Sequence, residues 1–153
     1  MKFDRKNNVK VSAASEAGFT FEPRYPNGQG IGATITVRGP ESAQVRTLLR
    51  RQLAELQARE LQAKKRGKDV EVPALEELEA QAIDLAVAYT IGWSGFEDDG
   101  VPMEPTEANF RAIYTDYSWI RRQVIDEAQD LGNFAQISSK TSSRTPALNS
   151  SSI

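Results

Sequence analysis

The chain contains neither cysteine nor histidine. Without them there is no disulfide, no zinc site of the Cys/His kind, no Ser-His-Asp or Cys-His nucleophile and no imidazole general base. Most common hydrolase mechanisms are thereby excluded. Long apolar runs are missing too: no window reaches the roughly 18 residues of a membrane helix, and Met1-Lys2-Phe3-Asp4-Arg5-Lys6-Asn7-Asn8 lacks the apolar stretch of a signal peptide. A cytoplasmic location is expected. Nor does one sign of charge dominate. Lys and Arg number 19 against 21 Asp and Glu, a net charge of -2, which gives no global case for a nucleic-acid binder. What remains is 153 residues, 39% apolar and 26% charged, the composition of one ordinary globular domain with a real core.

Charge is more informative by segment. Residues 41 to 66 hold seven basic and three acidic side chains, whereas 67 to 91 and 92 to 117 each hold one basic and six acidic. A basic segment followed by two acidic ones can neutralise itself within the fold or leave faces of opposite sign. Residues 1 to 40 carry turn formers (Pro23, Pro26-Asn27-Gly28, Gly30, Gly32) between short β-prone runs, Val9-Lys10-Val11, Phe19-Thr20-Phe21 and Ala33 to Val37. Two or three short strands are expected, with a hairpin through Asn27-Gly28 or, equally, an extended arm. From Gly39-Pro40-Glu41-Ser42 the period becomes helical. Val45, Leu48, Leu49, Gln52, Leu53, Leu56 and Leu61 trace one face, and Lys64-Lys65-Arg66-Gly67 supplies cations and a glycine at the stop. Pro73 is expected to open a second helix, with Leu75, Leu78, Ala82, Leu85 and Tyr89 on one stripe, and a short connection makes the pair an antiparallel αα-hairpin. A third helix is expected from a Thr106 cap, presenting Phe110, Ile113 and Tyr114, and a fourth carries Trp119, Ile120, Val124, Ile125, Ala128 and Leu131. The expected fold is therefore α+β, mostly α: a β-rich arm or small sheet over 1-40, a bundle of about four helices over 41-136 and a disordered Ser-rich tail over 137-153.

Each chemical motif has a plainer reading that is preferred. Glu97-Asp98-Asp99-Gly100 lacks the ligand register of a calcium loop and reads as a solvated turn. Gly28-Gln29-Gly30-Ile31-Gly32 lacks the remainder of either nucleotide-binding fingerprint and precedes a strand, so it reads as a turn. Arg46, Arg50, Arg51, Arg59, Lys64, Lys65, Arg66 and Lys68 have no aromatic interleaving to stack on bases, which favours a solvated face or pairing with the acidic helix. No signature supports a catalytic carboxylate pair. The aromatics Trp93, Phe96, Phe110, Tyr114, Tyr117, Trp119 and Phe134 read first as core, although Trp and Tyr also favour interfaces. No catalytic residue, metal or cofactor is expected.

The order of short motifs from Gly92 to Phe134 resembles that of tail assembly chaperones of long-tailed bacteriophages. Ile91-Gly92-Trp93, Asp98-Asp99-Gly100-Val101-Pro102, Thr106-Glu107-Ala108-Asn109-Phe110, Ser118-Trp119-Ile120-Arg121-Arg122-Gln123-Val124 and Gly132-Asn133-Phe134 carry the likeness, joined upstream by Ala33 to Ser42. Residues 1 to 32 and the Ser-rich tail do not match. The resemblance implies a non-enzymatic protein of the host cytoplasm that binds the tape measure protein and keeps it soluble while the tail tube assembles. It supplies no catalytic residues.

A leucine-bearing helical hairpin suits the shielding of a client helix. Leu48, Leu56, Leu78 and Leu85 are the candidate contact surface if exposed, with Trp93, Phe96 and Trp119 as further partner-binding candidates. The alternative is a structural virion component, a tail-completion or tube-associated subunit. Neither nucleic acid nor membrane is an expected partner, and the oligomeric state stays open.

Overall fold

The computed structural model describes residues 2–8 and 10–135. Its fold is α+β and mostly helical. Helix α1 (Val11–Ala17) leads into strand β1 (Phe19–Phe21), followed by β2 (Thr34–Val37), helices α2 (Ala43–Lys65) and α3 (Leu75–Tyr89), and strand β3 (Thr90–Ser94). A ribbon of β4 (Glu97–Asp98) and β5 (Val101–Pro102) precedes helices α4 (Glu107–Asp116) and α5 (Ser118–Gln129). The expected tail, 137-153, lies outside the described residues. Among those described, no helix is long and apolar enough to cross a membrane.

The main sheet has the order β1-β2-β3, antiparallel throughout. Alternation along β2 decides its two faces: Ala33, Ile35 and Val37 are buried, while Thr34 and Thr36 look outward. On the outer face Thr36 shares a hydroxyl hydrogen bond with Thr20 of β1 at 2.7 Å, and Thr34 one with Ser94 of β3 at 3.0 Å. The β2–β3 register shifts between Thr36 and Val37, leaving Ile91 without an opposite residue. The third strand was not expected. Because β3 pairs with β2, the segments anticipated as 1-40 and 41-136 share one sheet.

The turn at Asn27-Gly28 exists, but inside a longer connection. Tyr25 and Gln29 bond across it, and Arg24 bridges Gly30, while β1 and β2 are joined by twelve residues, 22–33. Val11 corrects the reading of Val9-Lys10-Val11 as a strand. It opens α1, whose Ser-Ala-Ala-Ser-Glu-Ala run contains good helix formers, and an alternation of only three residues cannot outweigh that local preference.

Helix α2 follows its stop chemistry closely, ending at Lys65 and Arg66 with Gly67 at φ +68°. Its start differs from the simplest reading. Ser42 holds the cap position, yet its hydroxyl makes no cap bond, and Glu16 of α1 instead accepts the Ala43 N–H at 2.8 Å. Gly39 is held close to α1: a Cβ there would press on the Ser15 side chain and come within 3.1 Å of the Phe134 ring, so a larger residue would force α1 to shift. Helix α3 opens at Leu75 with Ala74 at the cap, so Pro73 lies two residues before the first helical position and does not open the helix as expected. Thr106 caps α4 as expected, accepting the Asn109 N–H at 3.2 Å. Leu131 departs from the α5 face. It falls in a 3-10 turn and is 51% exposed.

The core sits where the second half of α3, helices α4 and α5 and the inner face of the sheet meet, built on Ile35, Val37, Tyr89, Tyr114 and Val124. Its polar joint is Thr90. That hydroxyl donates to the Ala86 carbonyl at 2.8 Å and meets the Tyr114 hydroxyl at 2.7 Å, linking the end of α3, the start of β3 and α4. Nearby, Arg38 donates to the Ala88 and Thr90 carbonyls, satisfying acceptors at the end of α3.

Candidate functional site

A helix of 23 residues is about 35 Å long. Of α2, only Val45 and Leu48, both near its start, are buried. The remainder stands beyond the core, accompanied by the first turns of α3. That lack of cover leaves Leu49, Leu53, Leu56 and Leu61 of α2 and Leu75 and Leu78 of α3 exposed. Leu49, Leu53 and Leu56 recur at intervals of four and three and so form one strip along the helix.

Along this stretch the two helices touch but leave an open groove between them. The groove measures about 470 Å³ and is lined among others by Leu53, Leu56, Arg59, Glu77, Gln81 and Asp84. Arg59 and Glu77 form an ion pair across it. The hydrogen bond and charge of Glu77 raise the Arg59 pKa above its ordinary value. Asp84 turns instead to Arg111 of α4, at 2.8 Å. The charge attraction expected between a basic first and an acidic second helix is thus realised in a single contact between them among the described residues.

The candidate residues separate into three places. On the hairpin, Leu56 and Leu78 are each 47% exposed, whereas Leu48 is only 8% exposed and belongs to the packed base of α2. This corrects the placement of Leu48 on a contact surface: it lies at the one part of α2 that the fold covers. Leu85, half-buried, packs against the core. The structure brings Trp93 and Phe96 together, stacked at 4.2 Å between centroids, with Phe110 edge-on to Trp93 at 4.8 Å. Phe96 is buried, and the Trp93 indole N–H donates to the Met103 carbonyl at 2.9 Å, so both stabilise the ribbon against α4 and Phe96 presents no contact surface. Trp119 lies elsewhere, between Tyr25 at 5.6 Å and Tyr117 at 5.9 Å. Phe134 pairs with Phe19 at a third location, 6.3 Å apart.

Sequence reasoning passed over Leu49, Leu53 and Leu75 as contact candidates. Their periodicity was visible, but not how little of α2 the later helices cover. Tyr25 carried no signal, because the 22–33 connection is set against α5 by long-range contacts: besides the Tyr25–Trp119 ring pair, Arg24 N–H donates to Gln123 Oε1 at 2.8 Å and Gln123 Nε2 to the Arg24 carbonyl at 2.9 Å.

The other motifs have structural places. Glu97 and Asp98 form β4 and Asp99 with Gly100 the turn to β5, and among the described residues no three acidic side chains are grouped as metal ligands would be. The Gly28 to Gly32 stretch lies in the connection leading to β2. Burial raises the pKa values of Tyr89 and Tyr114, and desolvation lowers that of Arg38 against the opposing effect of Glu16. The two tyrosines belong to the core, bonded to Gln129 and Thr90, and Arg38 lies part-buried at its edge, bonded to backbone carbonyls.

No family model, curated protein or solved structure matches the chain.

Proposed function

We propose that the protein is a tail assembly chaperone of a long-tailed bacteriophage, which binds the tape measure protein in the host cytoplasm and keeps it soluble until tube subunits enclose it. The observation that carries this reading is the hairpin of α2 and α3, whose leucines stand in solvent beyond the core. Exposed apolar area on an amphipathic hairpin is suited to an apolar stripe on a client helix. Removing such area from water is worth about 25 cal/mol per Å², before the costs of association. Shielding follows from competition: a client stripe laid against Leu53, Leu56 and Leu78 is withheld from other client copies. The resemblance of the motifs between Gly92 and Phe134 to this family supports the same reading.

The test is capture of tagged full-length protein from phage-producing cells, with mass spectrometry of purified virions alongside. The expected result is co-purification of the tape measure protein and absence of this chain from particles. Stoichiometric presence in particles would make it a structural tail component instead.

A further inference from the structure

Helix α2 carries six basic and two acidic side chains, and α3 carries four acidic and no basic ones, so the two arms have net charges of +4 and -4. Within one chain this complementarity is almost unused. Arg59–Glu77 joins the arms, and Asp84 is committed to Arg111. Arg46, Arg50, Arg51, Lys64 and Lys65 on one arm, and Glu76 and Glu79 on the other, form no ion pair among the described residues. The same arms expose Leu49, Leu53 and Leu56 on one side and Leu75 and Leu78 on the other. A surface that is apolar, with equal and opposite charge on its two halves, is its own complement under a two-fold axis.

We propose that two copies of this chain pair through their hairpins, α2 of one lying along α3 of the other, to close a four-helix bundle. Opposite charge fixes that arrangement, because setting α2 against α2 would oppose +4 to +4 and α3 against α3 would oppose -4 to -4. The leucines form the seam, and the cations of one copy's α2 border the carboxylates of its partner's α3. The seam takes the same Leu53, Leu56 and Leu78 that the proposed client would cover, so the pair is the unloaded form and client and second copy compete for one face; the pairing itself rests on the hairpin and stands whatever the client is.

Sedimentation velocity of the full chain over a concentration series tests this. The expected species has about twice the 16.9 kDa chain mass, and it dissociates more readily at high salt. Leu53→Glu with Leu56→Glu should give a monomer with an unchanged near-ultraviolet circular dichroism spectrum. Two charge-reversed chains provide an independent arm, one with Glu76→Lys and Glu79→Lys, the other with Arg46→Glu and Arg50→Glu. Each alone should dimerise at least tenfold more weakly than the parent, and an equimolar mixture should form a heterodimer tighter than either homodimer. A chain that stays monomeric at every concentration overturns the proposal, as does a dimer indifferent to the leucine changes. A mixture no tighter than its components overturns the crossed arrangement.

Discussion

The two ends of α2 obey different rules. At its base Val45 and Leu48 are covered by the rest of the fold, and the helix end is secured by a carboxylate from α1. A few turns on, leucines at the same helical spacing lie open to water beside a groove. The same sequence pattern therefore supplies stability at one end and an unfilled surface at the other. What distinguishes them is whether α4, α5 and the sheet reach that far.

This division can be broken most forcefully at Tyr114. Tyr114→Ala removes a fully buried ring and leaves Thr90 without its phenolic partner, so a loss of about 3–5 kcal/mol is expected in urea unfolding. A loss near zero would show that the core is not where stability resides. A second expectation concerns pH. Burial raises the pKa values of Tyr114 and Tyr89, so the folded chain retains phenolic protons that the unfolded chain releases above about pH 10. Stability from these groups is complete below that pH and declines as pH rises past it. Thermal unfolding at about pH 9 and about pH 11 should reveal the decline, and Tyr114→Phe should flatten it. Thr106→Ala, which deletes the α4 cap, should cost about 1 kcal/mol. Smallest of all, at chain concentrations too low for association, Leu53→Ala or Leu56→Ala should change stability by about 0.5 kcal/mol or less, while weakening association at higher concentration. A destabilisation of several kcal/mol there would place those leucines in a core and erase the contrast.

Much of the fold was legible where local chemistry determines it. The end of α2 at Lys65-Arg66-Gly67, the Thr106 cap and the apolar faces of α4 and α5 each follow from side chains within a few residues of the feature. Strand β3 was hidden because Gly92 reads as a breaker, and only pairing with a strand far earlier in the chain reveals Thr90–Ser94 as a sheet element. Helix α1 was hidden by a β-branched residue at its start. The seven aromatics divided for a related reason: proximity in sequence brings Trp93 to Phe96, but Trp119 finds Tyr25 and Phe134 finds Phe19 across distances no local pattern encodes. Of the candidate contact residues, spacing identified helix faces, but cover by distant elements decided that Leu56 and Leu78 remain open while Leu48 does not.

The placement of β2 between β1 and β3 has a consequence for the order of events on the ribosome. β2 ends at Val37 and β3 starts at Thr90, so about 50 residues separate them, roughly 3–10 seconds of synthesis at about 5–20 residues per second. Both arms of the hairpin are made within that interval. The leucines of α2 and α3 thus emerge before the sheet can close, and a neighbouring nascent chain on the same message is the first copy they can meet. Stalled chains ending before Thr90 should leave the β1–β2 segment open to protease, whereas chains extending past Ala128 should protect it.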